Sequence, residues 1–221
     1  MPIRAIVFDL FDTLVDLRLE DFPQVEFRNR RFAASLGVLH ELVGRFAEVD
    51  FDHFGDTLFD VDRGLRDRFY AADVEVPSID RFRALALRLG IEAPELPDLL
   101  TETHMRMFRE NSPAPAHHAA LLERLRARVK LGLCSNFTHA QTAHAVLEQT
   151  GLAAHLDATV ISETFGWRKP KRDIFERVLG DLDVGPHEAI HVGDSLKADV
   201  GGASALGIRT VWVTRRVKDP A

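Results

Sequence analysis

The stretch IRAIVFDLFDTLVD, residues 3–16, decides how the rest of the chain is read. Residues 3–8 are a short apolar run rich in branched side chains, which reads as a buried strand ending at Asp9. Similar runs recur far downstream, at 129–134, 158–161, 189–192 and 209–213. Helical patterns separate them, at 116–128, 139–150, 171–179 and 196–206, and Gly151, Gly185 and Gly207 fall where helices stop or turn. Strands alternating with helices imply an α/β fold, a parallel sheet covered on both faces.

One long stretch breaks this rhythm. Residues 16–112 show helical periodicity and no strand series. RFRALALRLG (81–90) has the spacing of an amphipathic helix, and FRNRRFAASLGV (27–38) resembles it. PSID (77–80) and NSPAPA (111–116) look like helix starts or connections. The expected organisation is a core of residues 1–15 and 113–221, with a helical insertion over 16–112.

Composition narrows the function classes. A net charge of -6, with arginines interleaved among acids, argues against a broad affinity for nucleic acid. No apolar stretch approaches the roughly 18 residues of a membrane span, and no signal-peptide pattern opens the chain. A single cysteine, Cys134, rules out an internal disulfide. The expectation is a cytoplasmic protein, a monomer or homodimer, acting on a small molecule.

In open parallel sheets, ligands bind beyond the carboxyl ends of the strands. The residues expected there are Asp9 to Thr13, then Ser135 and Asn136, then Lys169, then Asp194 with Asp199 five places on. Such a set suits phosphoryl transfer. Asp9 and Asp194 can hold a hard divalent cation, and magnesium suits an oxygen site of this kind. The cation and Lys169 would offset the charge of a phosphate beside Asp9. Ser135 and Asn136 can donate to the transferring oxygens, and Asp9 can attack to form an aspartyl phosphate. Each residue alone also has a plain reading: a turn, a cap or an exposed lysine.

FDLFDTLVD (8–16), LCSN (133–136), GWRKPKRDIF (166–175) and HVGDSLKAD (191–199) resemble the four ordered motifs of the haloacid dehalogenase superfamily. The helical stretch matches that family's first-position cap domain in placement and character. The resemblance implies a Rossmann-like core, Asp9 as nucleophile, Thr13 and Ser135 near the phosphoryl group, and Lys169 bridging nucleophile and substrate. It also implies magnesium held by Asp9, Asp194 and the backbone carbonyl of Phe11, with Asp199 supporting the metal shell or Lys169. The activity it implies is a magnesium-dependent phosphatase of a small phosphorylated metabolite.

One position departs from the pattern. Phosphatases of this family carry a second Asp two residues after the nucleophile, as general acid and base, and that position here is Phe11. Asp12 is one place further on, and at a strand end a one-residue offset points a side chain the other way. Two alternatives follow: a 2-haloacid dehalogenase using Asp9 without metal, and a non-catalytic or very slow family member. For the dehalogenase, Arg28, Arg30 and Arg31 are nearby arginines without a motif. Phosphonate cleavage through a cap lysine is set aside, because the first lysine is Lys130.

Overall fold

The computed structural model describes residues 2–216; residues 1 and 217–221, counted with the core from the sequence, lie outside it. The chain forms two compact units. One holds the residues up to Leu17, Asp73–Glu75 and those from Ser112 onward; the other holds Arg18–Ala72 and Val76–Asn111.

The first unit is built on a five-stranded parallel sheet of β1 (Ala5–Phe8), β4 (Lys130–Ser135), β5 (Ala158–Ile161), β6 (Ala189–Gly193) and β7 (Arg209–Trp212), in the order β5-β4-β1-β6-β7. The chain fills one side of β1 with β4 and β5, then the other with β6 and β7. The strand order reverses at β1, and the crevice beyond such a switch point is where a parallel sheet binds its ligand. Ala5, Val7 and Cys134 pack on one face against Ile174, Phe175, Val178 and Leu179 of α8 (Arg172–Asp181). Leu131 and Leu133 alternate with them and are fully buried too. Burial on both faces explains why these strands read as continuous apolar runs. Gly132 lets α8 approach, since a Cβ there would meet the Leu182 side chain at 2.8 Å.

The second unit contains α1 (Leu36–Val43), α2 (Phe51–Arg68), α3 (Ser78–Arg88) and α4 (Leu96–Glu110). The 81–90 periodicity is realised in α3, whose Phe82 and Leu85 are fully buried. FRNRRFAASLGV is not one helix. Its first half forms an antiparallel hairpin of β2 (Gln24–Phe27) and β3 (Arg30–Ala33), and α1 begins only at Leu36. Arg28 and Asn29 both take positive φ, 52° and 59°, as a two-residue hairpin turn requires, and its twist matches the strands. Phe27 anchors the hairpin, its ring 5.4 Å from Phe59 and 5.9 Å from Phe51. A cavity of about 200 Å³ opens in this unit. Phe22, Phe32, Phe59 and Phe108 line it, together with a polar wall. In that wall Arg81 pairs with Asp62, and His104 bonds Ser35 at 2.8 Å. Burial, then the charge of Arg81, lowers the His104 pKa to about 3, so its imidazole is neutral.

Candidate active site

Asp9 follows β1, and its backbone N–H donates to the Val192 carbonyl at 2.9 Å, which extends the strand pairing by one residue. The side chain is thereby delivered into the crevice at the switch point. Lys169 arrives from the segment after β5 and is 3% exposed. Its Nζ donates to Asp9 Oδ1 at 2.6 Å, to Asp199 Oδ1 at 2.6 Å and to the Cys134 carbonyl at 2.7 Å. An ammonium has three N–H groups, and all three are engaged. Burial opposes the charge on Lys169, but Asp9 and Asp199 outweigh it and raise the pKa.

Asp199 comes from the π-helical turn Leu196–Gly201. Its Oδ1 accepts from both Lys169 and His191 Nε2, the latter at 2.8 Å, and its Oδ2 accepts the Ser195 N–H at 3.0 Å. Gly193 makes this possible: a Cβ there would meet Asp199 Cγ at 2.2 Å. Burial works against the Asp199 carboxylate, yet Lys169 and His191 hold its pKa well below the ordinary range. Since a carboxylate only accepts, His191 carries its proton on Nε2. Burial lowers the pKa of that imidazole, so it is neutral.

Asp194 directly follows β6 and is partly exposed. Oxygens of Asp9, Asp194 and Asp199 lie within 4.8 Å of one another. Burial first, then the charges of Asp9, Asp199 and Asp12, push the Asp194 carboxyl up to about 6. Burial also raises Asp9, against the pull of Lys169. With His191 neutral, three carboxylates face one ammonium. A divalent cation fits this deficit, and Asp9 and Asp194 are the residues free to hold it. Both oxygens of Asp199 are already bound to protein groups.

Ser135 closes β4 and is buried. The hydroxyl of Thr13 is buried without a hydrogen-bond partner among the described residues. A hydroxyl in that state is costly unless a ligand meets it. Asn136, expected as a donor to the transferring oxygens, makes two bonds to the lysine-bearing loop, which leave its second Nδ2 hydrogen for such a role. Its Oδ1 accepts the Lys169 N–H at 2.7 Å and its Nδ2 donates to the Lys169 carbonyl at 2.8 Å. The amide mimics a backbone partner and clamps the lysine-bearing loop to the end of β4. The ring of Phe11 stacks against Phe137. Asp12 has positive φ, 57°, and its Oδ1 accepts the Leu17 N–H at 3.1 Å and pairs with Arg216 at 2.9 Å. It is tied into the loop and is no substitute for an acid at position 11. Arg28 is exposed in the hairpin turn, paired with Asp52 and Asp56.

Sequence reasoning missed His191 and Glu75. His191 lies three residues before Asp194 in a quoted motif, and its place in an otherwise apolar strand was a usable signal. Glu75 accepts from Ser162 and Arg168, and its place in a helical stretch gave no signal.

Among family models, that of the haloacid dehalogenase-like hydrolases matches residues 3–207. A ribulose-1,5-bisphosphate 5-phosphatase of Halopiger xanaduensis is 30% identical over 212 residues, covering 94% of this chain and 83% of that protein. A phosphatase of the same superfamily from Thermococcus onnurineus superposes with a TM-score of 0.68 at 22% identity, covering 98% of this chain and 89% of that one. A 2-haloacid dehalogenase from Pseudomonas syringae pv. Tomato superposes with a TM-score of 0.67 at 23% identity, with the same coverage. The fold is therefore shared equally with a phosphatase and a dehalogenase, and the side chains must separate the two activities. Among the described residues, no helix is long and apolar enough to cross a membrane.

Proposed function

The chain belongs to the haloacid dehalogenase-like hydrolases, and from that footing we propose that it is a magnesium-dependent phosphatase of a small phosphorylated metabolite. The observation that carries this reading is the charge balance at the strand ends. Asp9, Asp194 and Asp199 stand against Lys169 within one cluster, and the Asp194 carboxyl is raised by burial first and then by the charges of Asp9 and Asp199. Magnesium, held by Asp9, Asp194 and the Phe11 carbonyl, would offset the negative charge of the site and of the phosphate.

Asp9 is the nucleophile. Its carboxylate attacks phosphorus, the bond to the leaving oxygen breaks, and the phosphoryl group remains on Asp9 as an acyl phosphate. Lys169 keeps the attacking carboxylate ionised and oriented, and its charge opposes the repulsion between two anions. The hydroxyls of Thr13 and Ser135 bind the phosphoryl oxygens. Asn136 acts on the same group through Lys169, by fixing its backbone. Water then cleaves the acyl phosphate and frees Asp9. Choice among substrates falls to the helical unit as the cap, whose aromatic cavity offers an apolar lining with one polar wall.

Phe11 favours a second reading, a 2-haloacid dehalogenase, because halide needs no proton to leave. The three-carboxylate cluster stands against it. Phosphate release from a panel of phosphorylated metabolites, with magnesium and with excess chelator, tests the proposal, alongside halide release from 2-chloropropionate. Magnesium-dependent phosphate release supports it. Halide release that survives chelator, with no phosphate release, overturns it.

A further inference from the structure

For three residues, Asp73–Glu75, the chain leaves the helical unit and joins the sheet unit. It runs antiparallel to the loop that carries Lys169. The Glu75 N–H donates to the Gly166 carbonyl at 2.9 Å, the Arg168 N–H donates to the Asp73 carbonyl at 2.8 Å, and Val74 pairs with Trp167. The Glu75 side chain is completely buried. Its Oε1 accepts from Arg168 at 2.6 Å, and its Oε2 accepts from the Ser162 hydroxyl. Ser162 Oγ in turn accepts the Phe137 N–H at 2.9 Å.

These contacts close a ring. Glu75 binds Arg168, the next residue is Lys169, Lys169 is clamped by Asn136, the next residue is Phe137, and Phe137 is held by Ser162, which binds Glu75. The ring encloses both loops that feed the crevice, one with Ser135 and Asn136, the other with Lys169. A buried carboxylate costs several kcal/mol unless paired and hydrogen-bonded, and each oxygen of Glu75 meets one loop.

We infer that Glu75 is a positioning residue, which sets the spacing between the Ser135–Asn136 loop and the Lys169 loop without touching substrate. The Lys169 ammonium meets three acceptors at 2.6 to 2.7 Å, so its backbone tolerates little displacement. A misplacement of about 1 Å in a catalytic group costs on the order of a hundredfold in rate. The kinetic part of this inference rests on the phosphatase reading; the structural part does not.

The test is Glu75→Gln, which keeps size and an acceptor for Ser162 but removes the charge that holds Arg168. Two measurements are made on the full chain: amide hydrogen exchange, and p-nitrophenyl phosphate hydrolysis with magnesium. Exchange at the Phe137 and Lys169 amides should rise about tenfold or more, with the amides of β1 and β4 unchanged. The kcat should fall about tenfold to a hundredfold, with KM within about twofold. Arg168→Met should do the same, and the double variant should be no worse than the worse single one, because both break one link. Exchange that is unchanged, or raised evenly over the sheet, overturns the inference, as does an unchanged kcat. If the wild type hydrolyses no phosphate ester, the functional reading fails, and the exchange pattern alone decides the role of Glu75. If Glu75→Gln does not fold, Arg168→Lys carries the same two measurements.

Discussion

The ring of Phe11 lies 4.5 Å from that of Phe137, centroid to centroid, so position 11, two residues after Asp9, holds one half of an apolar pair and carries no acid. General acid catalysis supplies about 10² to 10⁴ in rate. Alkyl phosphates leave as poor alkoxides and need that proton, whereas nitrophenolate or an acyl group leaves without it. The rate should therefore depend steeply on leaving-group pKa. Phe11→Asp should raise alkyl phosphate turnover by about tenfold or more over Phe11→Ala, a control that opens the same space without an acid. A shallow dependence in the wild type would sink this idea.

Asp9→Asn preserves size and removes the carboxylate proposed as nucleophile. Turnover should fall by at least roughly a thousandfold, as for other covalent nucleophiles, with the fold intact by circular dichroism. Lys169 loses one of its two anionic partners in this variant, so its folded stability should also change. A variant with a tenth of wild-type activity would exclude covalent catalysis by Asp9.

The carboxyl of Asp194, pushed up to about 6, gives a pH signature. A carboxyl raised in the folded state holds its proton at pH values where the unfolded chain, near 3.8, has lost it. Metal-free protein therefore gains stability from this group as pH falls from about 7 toward 4, and loses it as pH rises through 6. The raised carboxyl of Asp9 acts in the same direction. Magnesium must displace the proton to bind, so its stabilising effect should be large near pH 8 and small near pH 5. Melting temperatures with magnesium and with chelator across this range measure it. A magnesium effect that stays flat from about pH 5 to 8 contradicts the assignment.

His191→Leu removes the donor that meets Asp199 Oδ1 in a fully buried setting. An unmet buried polar contact costs about 1–3 kcal/mol, which urea unfolding resolves. Turnover should fall with it, since Asp199 also orients Lys169. His191→Gln, whose amide can donate from a similar place, should recover part of both. Equal stability and rate in the Leu variant would show that the histidine is only filling space.

What could be read from the sequence divides along the range of the interactions involved. The sheet was legible because each strand is a short apolar run buried on both faces, and the motifs at the strand ends placed Asp9, Lys169, Asp194 and Asp199 in one crevice. The hairpin at 24–33 was not, because its turn is Arg28-Asn29 rather than a glycine-containing pair and its strands are only four residues each. The local apolar spacing of Phe32 and Leu36, four residues apart, satisfies a helix equally well. The clamp that Asn136 makes was not legible, because its amide answers a backbone group 33 residues away. Glu75 was invisible for the same reason, with partners 87 and 93 residues distant. Interactions of that separation leave no periodicity in the sequence.

The place of β1 at the centre of the sheet has a consequence for synthesis. Ala5–Phe8 leaves the ribosome before both of its neighbours, which begin at Lys130 and Ala189. At about 5–20 residues per second, the strand waits roughly 6–25 s for the first of them. In that interval the helical cluster, whose buried members run from Phe27 to Leu100, has every residue it needs. The residues of that cluster are thus all present while the apolar strand β1 is still unpaired. That interval exposes an apolar strand whose edges are both open, the state in which strands are prone to pair with other chains.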